Sequence, residues 1–348
     1  MAIDHPASPF RRFLRTWRRE LIRGGVLFGL VLGVGLAISR VNVNASVPWD
    51  ALEALGDLDA LSRGGDFFGA GRETGDQWEF RQEVNTSQRI WIRNTIGPIE
   101  VAAGDGNMLE VIAEKSWRHS SPSQVQLVAV PSASGVTICA LWEAREAHCD
   151  DAGLYRQNRI RKNDVAVRFW VKLPRGVPLD ASTVNGELEI DGVSAPVDAS
   201  TVNGRVLVRT AMGPVNASTV NGSIEAIMES LTGGDIALET VNGSVTAVLP
   251  AKLAAILDAE TVNGRVDTDF PVQITGKITP RHLRGTIGTN IRPGTANLPT
   301  LKLNTVNGSI TIREASPTPV PARAPRAQRT PPAAGVAPVA PAPPTPTP

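Results

Sequence analysis

The chain is expected to be all-β: a β-solenoid (β-helix) of ~20-residue coils, preceded by one N-terminal transmembrane helix and followed by a disordered Pro-rich tail. Three observations predict this. Thr-Val-Asn-Gly occurs six times, beginning at Thr183, Thr201, Thr219, Thr240, Thr261 and Thr305, with spacings of 18, 18, 21, 21 and 44 residues. Sixteen residues between Arg23 and Arg40 carry no charge. Twelve of the 27 prolines fall in residues 317–348.

Residues 1–20 read as a basic cytoplasmic segment and residues 21–39 as the membrane helix. Arg11, Arg12, Arg15, Arg18, Arg19 and Arg23 precede the apolar run, and the positive-inside bias then places the N-terminus in the cytoplasm and the remainder outside. The uncharged stretch alone covers about 24 Å of helix, so Leu21, Ile22 and a snorkelling Arg23 are needed to reach a full span. A cleaved signal peptide is the alternative, but the nearest small-x-small site, Val43-Asn44-Ala45, is a poor one. Gly25, Gly29 and Gly33 offer a face for helix dimerisation, although glycine is common in membrane helices for other reasons. Residues 40–87, with Gly64, Gly65, Gly69 and Gly71, read as a juxtamembrane connector.

Residues 88–315 read as the repeat domain. Aligning the six copies exposes apolar columns: Leu179, Val197, Val215, Ile236, Leu257 and Leu301 stand four residues before each Thr, and Leu188, Val206, Ile224, Val245, Val266 and Ile310 two after each Gly. Polar residues such as Asp180, Ser182 and Glu187 alternate with them, so each copy is two short strands of period 2 about an Asn-Gly corner. The corners are Asn185-Gly186, Asn203-Gly204, Asn221-Gly222, Asn242-Gly243, Asn263-Gly264 and Asn307-Gly308. A type I′ hairpin and an arc joining two sheets both satisfy this parity. Near-identical consecutive copies favour the arc, because in-register stacking lets the Asn amides bond coil to coil at a spacing of ~4.8 Å. Glycine after Asn is expected to supply a positive φ. The 44-residue gap reads as two periods with a degenerate copy near Gly285. The same alternation appears in Ile90–Val101 about Gly97 and in Val165–Leu173.

Residues 116–161 interrupt the period and carry both cysteines, Cys139 and Cys149. Outside the cytoplasm such a pair is expected to form a disulfide holding the insert against the first coils. His148 beside Cys149 has no second histidine near it in sequence, so a metal or thiol-nucleophile site is not favoured. Asp180, Asp198 and Asp258 share an outward column, but Asn216, Ala237 and Lys302 stand in it too, and a solvated face is preferred to a Ca²⁺ site. No catalytic, cofactor-binding or metal-ligating residue is assigned, and no cofactor is expected. Residues 316–348 have too little bulky apolar surface to fold and read as an extended spacer.

Charge narrows the partners. Of 35 Lys and Arg, six lie before residue 24 and three after residue 316, which leaves 26 against 32 acidic residues between them. A net charge of −6 on the folded part argues against nucleic acid.

At this point the chain resembles a known family, the bacterial putative-adhesin β-strand-repeat proteins, a domain of unknown function in the cell envelope. The resemblance spans roughly residues 88–313. It rests on Gly135-Val136-Thr137-Ile138-Cys139-Ala140 followed by Cys149, on Asn163-Asp164-Val165 leading into Val171-Lys172-Leu173-Pro174-Arg175-Gly176-Val177, on the Thr-Val-Asn-Gly series, and on Leu283-Arg284-Gly285-Thr286-Ile287-Gly288. It implies a β-helical extracytoplasmic domain with no assigned enzymatic activity. The expected function is therefore that of a non-enzymatic, membrane-anchored envelope protein, a structural or adhesin-like scaffold meeting another envelope protein or a surface glycan. The alternatives are an accessory subunit of an envelope-stress or signalling system and, more remotely, a carbohydrate-active β-helix enzyme. Past residue 170 the only aromatic is Phe270, which leaves a glycan-cleaving groove without platforms.

Overall fold

The computed structural model describes residues 68, 71–143, 147–157, 160, 163–210, 212–230, 234–274, 279–288 and 298–315. The expected membrane helix at 21–39, the basic segment before it, Gly25, Gly29 and Gly33, and the tail at 316–348 lie outside these residues. Among the described residues no helix is long and apolar enough to cross a membrane.

The chain begins with β1 (Glu73–Glu83), β2 (Arg89–Arg93), β3 (Ile99–Gly104), β4 (Met108–Trp117), β5 (Val125–Ser132) and β6 (Gly135–Trp142). A two-stranded ribbon follows, β7 (His148–Cys149) and β8 (Tyr155–Arg156), then β9 (Ala166–Pro174). The repeats supply β10 (Leu179–Ser182), β11 (Leu188–Val193), β12 (Val197–Ser200), β13 (Val206–Thr210), β14 (Val215–Asn221), β15 (Ile224–Met228), β16 (Ile236–Asn242), β17 (Val245–Leu249), β18 (Ala254–Asn263) and β19 (Val266–Thr268). The last four are β20 (Val272–Ile274), β21 (His282–Gly288), β22 (Thr300–Asn307) and β23 (Ile310–Glu314).

These strands make two large sheets. One has ten strands in the order β1-β4-β9-β3-β11-β13-β15-β17-β23-β19, the other eleven in the order β20-β21-β18-β22-β16-β14-β12-β10-β2-β6-β5. Each Asn-Gly corner carries the chain from the second sheet to the first, so the hairpin reading is excluded. Leu188 pairs with Val206 and Leu179 with Val197, both in parallel register. The apolar columns of both sheets fall in one hydrophobic cluster, with Trp142 and Phe169 fully buried near its N-terminal end. Alternate burial along β15 and β17 shows why period 2 suffices: one face of each strand is removed from water and the other is not.

The expected solenoid is corrected on two counts. Both sheets are mixed, because strands outside the repeat pair antiparallel with one another or with a repeat strand: β1 with β4, β4 with β9, β5 with β6, and β21 with β18. The architecture is an all-β fold of two large sheets rather than a solenoid of regular coils. The strand order also departs from the chain order, since β22 lies between β16 and β18 and β23 between β17 and β19. The residues around Gly285 do not form a hidden coil. They form β21, which runs antiparallel to β18 and is covered by β20. Residues 73–83, expected within a connector, form β1, with Trp78 and Phe80 packed on the core.

The reason for glycine at the corners also differs from the expectation. None of Gly186, Gly204, Gly222, Gly243, Gly264 and Gly308 has a positive φ. A Cβ on Gly222 would lie 2.0 Å from the carbonyl oxygen of Gly204, and the other five corner glycines meet a neighbouring glycine carbonyl at 1.9–2.0 Å. Contact between backbones, not a left-handed turn, demands the residue.

Gly222→Ala should therefore destabilise the protein by about 3 kcal/mol or more, since the methyl group must push two coils apart. Gly106→Ala, at a positive φ of 75° with no atom near the added methyl, should cost only about 1–2 kcal/mol. Urea unfolding of both variants compares the two demands directly.

Candidate functional site

The repeated letters build a continuous edge where the two sheets meet. Asn203 donates from Nδ2 to Oδ1 of Asn185 at 2.7 Å, Asn221 to Asn203 at 2.8 Å, Asn242 to Asn221 at 2.9 Å, Asn307 to Asn242 at 2.7 Å and Asn263 to Asn307 at 2.7 Å. The threonine of each copy is buried and donates to the glycine carbonyl of the preceding layer: Thr183 to Gly97, Thr201 to Gly186, Thr219 to Gly204, Thr240 to Gly222, Thr305 to Gly243 and Thr261 to Gly308, at 2.8–3.1 Å. The order of layers along this edge is thus 97, 186, 204, 222, 243, 308, 264 by glycine. Thr, Asn and Gly are each occupied by a neighbouring layer, which is why these letters recur. The valine column changes character along it: Val220 is buried, whereas Val306 and Val262 at the far end are 37% and 52% exposed.

Cys139 and Cys149 form a disulfide with an S–S distance of 2.04 Å. It joins β6 to β7 and lays the insert over the outer face of β2 and β6. Three further contacts hold the insert there, and none was visible in the sequence. Arg93, in β2, donates from Nε to the carbonyl of Gly153 at 3.0 Å while its Nη1 and Nη2 meet the Asp180 carboxylate at 2.6 and 2.8 Å. Gly153 has a positive φ and rests against the Trp91 indole, which a Cβ would strike at 2.4 Å. Tyr155, the chain's one tyrosine, lies between the hydroxyl of Thr95 at 2.7 Å and the carbonyl of Ala140 at 2.8 Å. Burial pushes its pKa up, and the bond from Thr95 offsets only part of the rise. His148, next to Cys149, is exposed.

On the other side of the insert, Asp164 gathers the chain before β9. Its carboxylate accepts from the backbone N–H groups of Ser120 at 2.9 Å, Arg118 at 3.0 Å and His119 at 3.2 Å. Burial alone would raise its pKa, but these bonds and the Ser120 side chain outweigh it and hold the carboxyl well below the usual range.

The outward aspartates fall in one column, as the spacing implied: Asp180 pairs with Asp198, which pairs with Asn216. Each of the three is engaged by another side chain. Asp180 is taken by Arg93, Asp198 by Arg89 at 2.8 Å and by Asn216 at 3.2 Å, and Asp258 by His282 at 3.3 Å. Among the described residues there is no group of three His, Cys, Asp or Glu disposed to hold a metal ion. The outer faces instead carry scattered ion pairs, Lys302 with Glu239 on one sheet and Arg209 with Glu189 on the other.

No family model matches the chain, and no curated protein is significantly similar to it. Among solved structures, a "putative cell adhesion protein" from Clostridium sporogenes overlaps 69% of this chain and all of its own, at 11% identity and a TM-score of 0.40. A "putative adhesin" from Bacteroides fragilis overlaps 69% of this chain and 97% of its own, at 10% identity and a TM-score of 0.23. One from Parabacteroides merdae overlaps 70% and 97%, at 10% identity and a TM-score of 0.22. Likeness at this level fixes neither fold nor role.

Two stability measurements follow from the geometry. Reduction of the disulfide, which closes a loop with a sequence separation of 10, should cost about 2.5–3 kcal/mol by loop-closure entropy; the comparison is urea unfolding with and without reductant. Asp164 has a lowered folded-state pKa, so its contribution is present above the unfolded-state value of about 3.9 and is lost as pH falls towards the folded-state value. The gap in midpoint between the wild type and Asp164→Asn should therefore be wide at neutral pH and narrow progressively below about pH 4.

Proposed function

We propose that the chain is a non-enzymatic, adhesin-like scaffold of the bacterial envelope, akin to the putative-adhesin β-strand-repeat proteins it resembles. In this reading residues 21–39 anchor it in the membrane and the two-sheet domain stands outside the cytoplasm. One observation carries the proposal: the Thr, Asn and Gly of the repeat are consumed in joining one layer to the next. Repetition thus serves the frame, while the residue after each corner glycine changes from copy to copy as Glu187, Arg205, Ser223, Ser244, Ser309 and Arg265. Two broad sheets with polar outer faces suit weak, extended contact with a surface glycan or another envelope protein. The disulfide fits an oxidising compartment outside the cytoplasm.

Cells lacking the chain should attach less well to a surface than cells carrying it. Charge reversal at Glu225 and Arg313, on the outer face of the ten-stranded sheet, should lower attachment while leaving the unfolding free energy within about 0.5 kcal/mol of wild type. Unchanged attachment, together with one stoichiometric membrane partner captured by crosslinking, would replace the scaffold with an accessory subunit. Glycan turnover by the purified protein would exclude both.

A further inference from the structure

The six Asn-Gly pairs share one sequence, one local fold and one ladder, yet they are not chemically equivalent. An Asn-Gly pair can lose its side-chain amide without an enzyme. The backbone nitrogen of the glycine gives up its proton and attacks Cγ of the asparagine, forming an N–Cγ bond. The Cγ–Nδ2 bond breaks, the nitrogen leaves as ammonia with the proton, and a five-membered succinimide remains. Water then opens the ring at either carbonyl to give aspartate or isoaspartate. The reaction requires a glycine N–H free of its hydrogen bond, an asparagine side chain free to turn towards it, and access for water.

In five of the pairs the glycine N–H is bonded and the asparagine side chain is held on both sides or buried. The N–H of Gly186 donates to the carbonyl of Asn203, Gly204 to Asn221, Gly222 to Asn242, Gly243 to Asn307 and Gly308 to Asn263, each at 3.0 Å. The amides of Asn203, Asn221, Asn242 and Asn307 each donate to one neighbour and accept from another, and Asn185 is buried. The sixth pair ends the ladder. No described group bonds the N–H of Gly264, and Oδ1 of Asn263 accepts from no described group. Its side chain is held only through Nδ2, by the bond to Asn307. Residues 262–265 are all exposed, whereas the other five corner glycines are buried or half-buried.

We propose that Asn263 is a self-modification site, converted through a succinimide with Gly264 to aspartate and isoaspartate while the five other Asn-Gly pairs are protected by the layer stacked on them. The nitrogen that leaves is the one that ties Asn263 to Asn307, so the change replaces the last donor of the ladder with a negative charge facing an amide oxygen. The free end of the stack thereby acquires a covalent record of the protein's age.

The folded full-length protein is incubated at mildly alkaline pH and then digested with trypsin, which isolates Asn263 in the peptide 253–265 and Asn307 in the peptide 303–313. A gain of about 1 Da at Asn263, with a mixture of aspartate and isoaspartate resolved by fragmentation, is expected to accumulate at least tenfold faster than at any other corner. The same incubation in strong denaturant should bring the six rates together. Equal rates in the folded protein, or a faster rate at an interior corner, would overturn the proposal. So would a slow Asn263 in the folded protein that becomes fast only on unfolding.

Discussion

Backbone packed directly on backbone at the corner glycines is the constraint on which the rest of the architecture depends. Because each corner glycine lies against the carbonyl of another, the layers are brought to a spacing at which the asparagine amides reach one another and the threonine hydroxyls reach the glycine oxygens. Those oxygens would otherwise sit at a crowded corner with little access to water. Unpaired polar groups there would cost about 1–3 kcal/mol each. Glycine sets the distance, threonine satisfies the oxygen left behind, and asparagine continues the ladder at the rim. The aliphatic columns then stack in register without further instruction, which is why the core can be made of small and medium residues such as Ala199, Val215 and Leu238.

The ends of the fold solve a different problem, since a stack of parallel strands finishes in unpaired edges. At the N-terminal end the chain turns to long antiparallel strands and a disulfide-tethered insert. The insert spreads over β2 and β6 and uses Tyr155, Arg93 and Trp91 as its points of attachment. At the other end β21 and β20 run back across β18. At this end the ten-stranded sheet is left with the three-residue β19 as its edge, and a short edge strand is one way in which natural sheets limit unwanted pairing.

Much of this was legible in the residues. The apolar columns identified the buried faces strand by strand, and the near-identity of consecutive copies pointed to parallel stacking, which the pairing of Leu188 with Val206 bears out. The disulfide was expected from two cysteines bracketing one insert. Other features were hidden for physical reasons. Glycine is demanded equally by a positive φ and by a close approach, so its presence at Gly222 could not separate the two. Period 2 is the same for parallel and antiparallel strands, so His282–Gly288 looked like another coil. β1 was passed over because only Trp78 and Phe80 of its eleven residues pack inward. Tyr155, Arg93 and Asp164 work through backbone groups distant in sequence, and no local spacing announces them.

The displaced position of β22 and β23 bears on how the molecule comes into being. A repeat array normally grows by adding each unit to the one just made, and stops cleanly wherever it is cut. Here the segment synthesised last among the repeats, Thr300–Glu314, is the keystone: β18 and β19 do not join the stack until it arrives. A chain synthesised from its N-terminus can assemble its early layers while it is still growing, but its final layers must wait, exposed, until residue 314 has been made. The wait is imposed by loop closure over the whole of residues 250–299. Loss of the keystone would therefore not shorten the stack by its outermost layer; it would detach everything beyond β17 at once.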